Sequence, residues 1–145
     1  MPGELLDSNV LVYAFTTDPR AVAAQALLER NCEVSVQALN EFANVARRKL
    51  GMTWQELREA LNAIHIVCRT IIPIDVPIHQ DAVRVSERYG YGFFDSLMIA
   101  AALRADCDVL FSEDMQDGMV VDERLRIVNP FREIQRGTGK PLEGG

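Results

Sequence analysis

Histidine, cysteine and tryptophan are scarce in this 145-residue chain, with two, three and one respectively. The cysteines, Cys32, Cys68 and Cys107, are odd in number and widely spaced. That excludes a disulfide framework and any CxxC metal knuckle, and it suits a reducing, cytoplasmic setting. His65 and His79 have no ligand partner at i+3 or i+4. They read as ordinary surface or core residues rather than metal ligands. No Gly-rich phosphate loop is present, which argues against P-loop NTPases and dinucleotide-binding Rossmann proteins. No apolar run approaches the roughly 18 residues that span a bilayer, so no membrane partner is expected. The opening MPGELLDSNVLVYAF has no basic n-region, and Asp7 interrupts its apolar stretch, so no signal peptide is expected. Positive charge is also in deficit: 15 basic against 21 acidic residues, a net −6. An acidic domain does not hold nucleic acid through a generic basic surface. Such work would need metal ions or a local basic strip.

What is there is the composition of a globular domain, 48% hydrophobic and 25% charged. Neither an internal repeat nor a composition break divides it. Residues 1–136 are expected to form a single domain, and the Gly-rich 137–145 a flexible C-terminal tail. Short apolar runs alternate with amphipathic segments. Leu5-Leu6, Cys32 to Val36, Ile71 to Ile74, Val109 to Phe111 and Arg126 to Val128 read as strands. Pro73 marks its strand as an edge or an end. Asp18-Pro19 reads as N-cap and first position of a helix reaching about Arg30. Another helix runs from Leu39 to Leu50 and is stopped by Gly51. Thr53 and Glu56 form a capping box. Pro77 starts a helix that Gly90 stops, and Phe94-Asp95 opens an apolar one from Leu97 to Ala105. Strands alternating with helices predict a parallel sheet covered on both faces. In such sheets function lies at the carboxyl ends of the strands.

Acids stand at those ends. Asp7 follows Leu5-Leu6, Glu41 lies in the helix after the second strand, Asp95 opens the apolar helix, and Asp114 trails Val109 to Phe111. Each has an ordinary explanation on its own: a turn or N-cap, a first-turn acid favoured by the helix dipole, an acidic loop. Glu113 is better explained as part of such a loop, and so, taken alone, is Asp117. Together the four would converge at one edge of the sheet. Four carboxylates in one place repel one another unless a cation is present. An all-oxygen set suits Mg²⁺ or Mn²⁺, one ion or two, and the chemistry such ions support is phosphate-ester or phosphodiester hydrolysis. Arg47-Arg48-Lys49, at the far end of the Glu41 helix, are the candidate nucleic-acid contacts, though the helix dipole alone favours cations there. Arg20, Arg104 and Arg132 are further cations that the sequence does not rank. Trp54 reads as packing rather than as a base-stacking platform.

The series Leu6-Asp7-Ser8-Asn9-Val10-Leu11, Asn40-Glu41-Phe42, Phe94-Asp95-Ser96-Leu97 and Ser112-Glu113-Asp114 resembles the PIN domain, and within it the VapC-like ribonuclease toxins of toxin–antitoxin pairs. The resemblance covers about residues 5 to 131. It implies a three-layer α/β/α sandwich with a central parallel sheet of four or five strands. It also implies Mg²⁺- or Mn²⁺-dependent hydrolysis of RNA. By position, Asp7 and Asp95 would be the principal metal ligands, with Glu41 and Asp114 completing the pocket directly or through water. Ser8, Asn9 and Ser112 would orient these carboxylates. Ser8 and Ser112 stand where the family usually has threonine, and both keep the hydroxyl. Asp117 can share or replace the role of Asp114. The family further implies a homodimer and an antitoxin partner.

Two other readings are weighed against this one. A phosphatase or receiver-like phosphoryl-transfer domain would want a second acid at the position of Asn9, or paired acids and a late lysine, and these are missing. A PIN-like module that binds RNA or protein without cutting would usually have lost acids, and this chain keeps four.

Overall fold

The computed structural model describes residues 3–132. The tail expected over 137–145 lies outside the described residues. Along the chain run β1 (Gly3–Leu6), α1 (Ser8–Ala14), α2 (Ala21–Leu28), β2 (Glu33–Ser35), α3 (Val36–Arg48), α4 (Trp54–Val67) and β3 (Thr70–Ile72). Then follow α5 (Val76–Tyr89), α6 (Phe93–Arg104), β4 (Cys107–Phe111), β5 (Val120–Val121) and β6 (Leu125–Val128).

The strands form one sheet in the order β3-β2-β1-β4-β6-β5. Five run parallel, with Leu6 level with Val34 on one side and Phe111 on the other. The sixth, β5, pairs antiparallel with β6. The parallel sheet of four or five strands is thus corrected to a mixed, mostly parallel sheet of six. Val120-Val121 is too short to give a strand signal in sequence. Pro73 directly follows β3, and β3 is indeed an edge.

The chain moves outward from β1 through β2 to β3, then returns past β1 to β4. Right-handed crossovers therefore place α1–α4 on one face and α5–α6 on the other, completing the three-layer sandwich. α5 packs along α6, and α1 packs against α2 and α3. Leu5, Leu6, Val34, Leu110 and Ile127 are fully buried, as strands covered on both faces require. The apolar helix α6 buries every residue from Ser96 to Leu103, so its role is core rather than surface.

Three helix starts differ from expectation. No element is read from the sequence between Asp7 and Asp18, where Val10, Val12 and Tyr13 are weak helix formers. Yet α1 forms there, buried throughout, with Asp7 as its N-cap accepting from Ser8 N–H at 2.6 Å. α2 begins at Ala21 rather than Pro19, and it ends at Leu28 rather than Arg30. Asp18 Oδ1 accepts from Arg20 N–H at 2.8 Å and closes a turn that leads into the helix. α3 begins at Val36, not Leu39, because Ser35 caps it by accepting from Ala38 N–H.

The sheet order sets the site. Neighbouring strands β1 and β4 send the chain to opposite sides, a topological switch point. Ligands of open α/β sheets bind outside the strand ends at such a point. Asp7 and Ser112 are the residues that leave β1 and β4 there.

Candidate active site

Asp7 is buried at the end of β1, its backbone N–H bonded to Phe111 O at 3.0 Å. Its carboxylate is held from several directions. Ser8 N–H donates to Oδ1, while Ser112 Oγ donates to Oδ2 at 2.6 Å and Asn9 Nδ2 donates to Oδ2 at 3.4 Å. Asn9 Nδ2 also reaches Asp114 Oδ2 at 3.2 Å, and its carbonyl accepts from Glu113 N–H at 3.3 Å. Ser8 Oγ donates to Glu41 Oε1 at 2.8 Å, and Gln37 Nε2 donates to Glu41 Oε2 at 2.8 Å. Ser8, Asn9 and Ser112 therefore each donate to at least one carboxylate.

Asp95 lies in the first turn of α6, half-buried, and Gly92 rather than Asp95 caps the helix. Among the described residues nothing donates a hydrogen bond to its carboxylate. Burial pushes its pKa up, and the charges of Glu41 and Asp114 push it further. Asp114 is raised by burial too, opposed by the Asn9 hydrogen bond and reinforced by Glu113 and Glu41. Asp7 is pushed up to about 7, chiefly by burial. The Ser112 hydrogen bond opposes that rise, and the charges of Glu41 and Asp95 add to it. These mutual influences bring Asp7, Glu41, Asp95 and Asp114 into one electrostatic cluster. Among the described residues no Arg or Lys forms an ion pair with any of them. Glu41 sits one turn deeper in α3 than expected, so the first-turn dipole does not account for it.

A hard divalent cation fits this donor chemistry: oxygen ligands, excess negative charge, and a carboxylate without a donor. The grip is looser than a four-acid chelate. Among the described residues no three His, Cys, Asp or Glu side chains converge closely enough to hold an ion between them as they stand. Mg²⁺ commonly binds through one or two carboxylates and keeps several waters. A pair of acids here meets that requirement.

The neighbouring acids have other engagements. Asp117 accepts from Asn129 N–H at 2.8 Å and from Arg132 at 2.9 Å, whereas Asp114 bonds Asn9 beside Asp7. Glu113 is buried and paired with Arg20 Nε at 2.9 Å, and Tyr13 Oη donates to it at 2.7 Å. Arg20 is thereby committed to the core and is not a surface cation.

Of the basic strip, Arg47 donates to Met52 O at 2.6 Å and lies over the Trp54 ring at 4.1 Å. Trp54 is 60% exposed, so its reading as a packing residue is corrected. Trp54 is the first residue of α4, outside the buried set of that helix, and the Arg47 guanidinium lies over its ring. Two site features escaped the sequence. Gln37, one turn before Glu41, buttresses it. Tyr91 Oη is buried beside Asp95 with no hydrogen-bond partner among the described residues. Neither belongs to a motif that could have singled it out.

The described residues contain no helix long and apolar enough to cross a membrane. No curated protein matches the chain in sequence. Solved structures share its architecture. A toxin–antitoxin complex from Klebsiella pneumoniae matches with a TM-score of 0.68 and 19% identity, over 88% of this chain and 98% of that one. VapC20 of Mycobacterium tuberculosis, described as a sarcin-ricin loop cleaving toxin, matches at 0.62 with 18% identity, over 74% and 87%. VapBC2 from Rickettsia felis, bound to a DNA fragment from its promoter, matches at 0.62 with 18% identity, over 86% and 96%. At these identities the likeness establishes the fold. The PIN domain family model matches residues 5–116, a span that takes in all four clustered acids and the strands that bring them together. The chain belongs to the PIN domain family.

Proposed function

We propose that the chain is a metal-dependent endoribonuclease acting in the cytoplasm as the toxin of a toxin–antitoxin pair. The observation that carries this reading is the carboxylate cluster at the switch point between β1 and β4, in which, among the described residues, no Arg or Lys forms an ion pair and nothing donates to Asp95. Asp7 and Asp95 are the residues that would hold Mg²⁺ or Mn²⁺, with Glu41 and Asp114 contributing directly or through water. When bound, such an ion supplies positive charge to an RNA phosphate and acidity to an attacking water.

The protein's own side chains set the geometry for this. Ser112 and Ser8 N–H fix the two oxygens of Asp7. Asn9, anchored by Glu113 N–H, spaces Asp7 from Asp114. Gln37 and Ser8 hold Glu41. Supporting residues of this kind typically change metal affinity or activity by about 10- to 100-fold. The partners proposed are an RNA substrate, a second copy of the chain and a cognate antitoxin protein. The last rests on two of the similar structures, the toxin–antitoxin complex from Klebsiella pneumoniae and VapBC2 from Rickettsia felis.

Purified protein incubated with a mixed RNA pool tests this. Cleavage is expected with Mn²⁺, and it should vanish with chelator and in Asp95→Asn. Equal cleavage by the variant overturns the site. Binding of RNA without cleavage under any condition favours the non-catalytic module instead.

A further inference from the structure

Next to the acid cluster the surface changes character. Phe94 immediately precedes Asp95, yet its ring is 64% exposed. It lines an open hollow with Gln37, Asn40, Glu41, Asn44 and Asp95. Its aromatic contact is with Phe93, edge-on at 6.3 Å. Asn44 also lines the adjoining hollow, together with Val45, Arg48 and Lys49. Positions 37, 41, 44 and 48 recur at helical spacing, so they share one face of α3. That face is graded. Glu41 stands at the acid end beside the exposed amide of Asn40, the exposed amide of Asn44 follows about one turn on, and Arg48, with Lys49 just past the helix end, lies at the far end. Glu41 and Arg48 are about 10 Å apart along the helix axis.

The chemistry matches an unpaired polynucleotide strand. An exposed phenyl ring offers a stacking platform that any base can use. Side-chain amides can bond base edges. The cations would neutralise backbone phosphates at a distance from the carboxylates. A duplex could not use Phe94, because its bases are already stacked within the helix. An apolar protein segment would match the phenyl ring but not the amides and cations beside it.

Building on the nuclease reading above, we propose that Phe94 stacks an unpaired base flanking the cleaved phosphate. The two adjoining hollows, with Asn40 and Asn44 in the first and Arg48 and Lys49 in the second, then carry the strand away. Phe94 is a specificity residue here, not a catalytic one.

Fluorescence anisotropy with a labelled 12-nucleotide RNA of mixed sequence tests this, with the same strand in duplex as the comparison. Ca²⁺ is present to offset the carboxylates. Single-stranded RNA should bind at least about tenfold more tightly than duplex, and Phe94→Leu should weaken it about tenfold, the loss expected for one stacked base. Duplex affinity should not change in that variant. Phe94→Trp should keep the affinity. In a Trp54→Phe background its emission should be quenched by RNA, which a purely structural role would not produce. Unchanged binding by Phe94→Leu, absence of quenching, or equal affinity for duplex overturns the proposal.

Cleavage of the same RNAs with Mn²⁺ separates the two readings. Asp95-dependent cleavage with no Phe94 effect removes the stacking residue alone. Phe94-dependent binding without metal-dependent cleavage removes the nuclease alone and leaves a single-strand binding module.

Discussion

Asn9 Nδ2 donates to Asp114 Oδ2 at 3.2 Å, joining the first turn of α1 to the loop after β4 across 105 positions of sequence. The same nitrogen faces Asp7, and the carbonyl oxygen of the same amide accepts from Glu113 N–H. Both ends of the side chain are in use, and its orientation is fixed by them. Asn9 thus acts as a neutral spacer between two acids.

Asn9→Asp keeps the size but removes the donor and adds a charge beside Asp7 and Asp114. Loss of a buried donor costs about 1–3 kcal/mol, and the added repulsion acts in the same direction. In chelator the variant should melt several degrees below wild type. Equal melting would mean that the amide does not hold the acids apart.

Asp7 gives the metal-free protein a pH dependence of definite sign. Its carboxyl is raised from 3.8 to about 7 in the fold, so the folded state holds this proton more tightly than the unfolded state. The resulting stability is complete below about pH 4 and is lost as pH rises through about 7. Asp95 and Asp114 are shifted in the same direction. In chelator, wild-type stability should fall between pH 5 and 8 by an amount on the order of 2–4 kcal/mol. Asp7→Asn should flatten much of that slope and melt above wild type at pH 8. A wild-type curve that rises over this range contradicts the environment described for Asp7.

The two acids flanking Asp114 are predicted to differ sharply. Glu113 is buried with Arg20 and Tyr13, and its loss leaves Tyr13 Oη and Arg20 Nε without that acceptor while Arg20 keeps the part-exposed Asp18, a loss of about 1–3 kcal/mol for each buried donor left unpaired. Asp117 pairs with the exposed Arg132, and such pairs contribute about 0–1 kcal/mol. Urea denaturation should therefore show a large loss for Glu113→Ala and a small one for Asp117→Ala. Comparable losses would mean that the Arg20 pair is not the tie between α2 and the β4 loop.

Much of this was legible in the sequence because strand ends and acids coincide. Asp7, Asp95 and Asp114 each adjoin an apolar run that becomes a strand or a buried helix, and the parallel order brings those ends together. Thr53, Gly90 and the apolar α6 announce themselves through local chemistry. The misreadings have local causes as well. α1 is built from β-branched and aromatic residues whose weak propensity is overridden by complete burial and by the Asp7 cap. Ser35 starts α3 earlier than the apolar spacing suggests, which shifts Glu41 inward. The engagement of Asp117 with Asn129 and Arg132 depends on the return of β6 beside β4, and no spacing in the sequence encodes it. The same is true of the exposure of Trp54, the first residue of α4.

The central claim is that Asp7 and Asp95 hold a divalent cation. Calorimetric titration of Mn²⁺ into the apoprotein tests it most directly, with Asp7→Asn, Asp95→Asn and Asp117→Asn in parallel. The account predicts saturable binding by wild type and Asp117→Asn, weakened by about tenfold or more in the other two variants. Wild-type affinity in both Asp7→Asn and Asp95→Asn would contradict it.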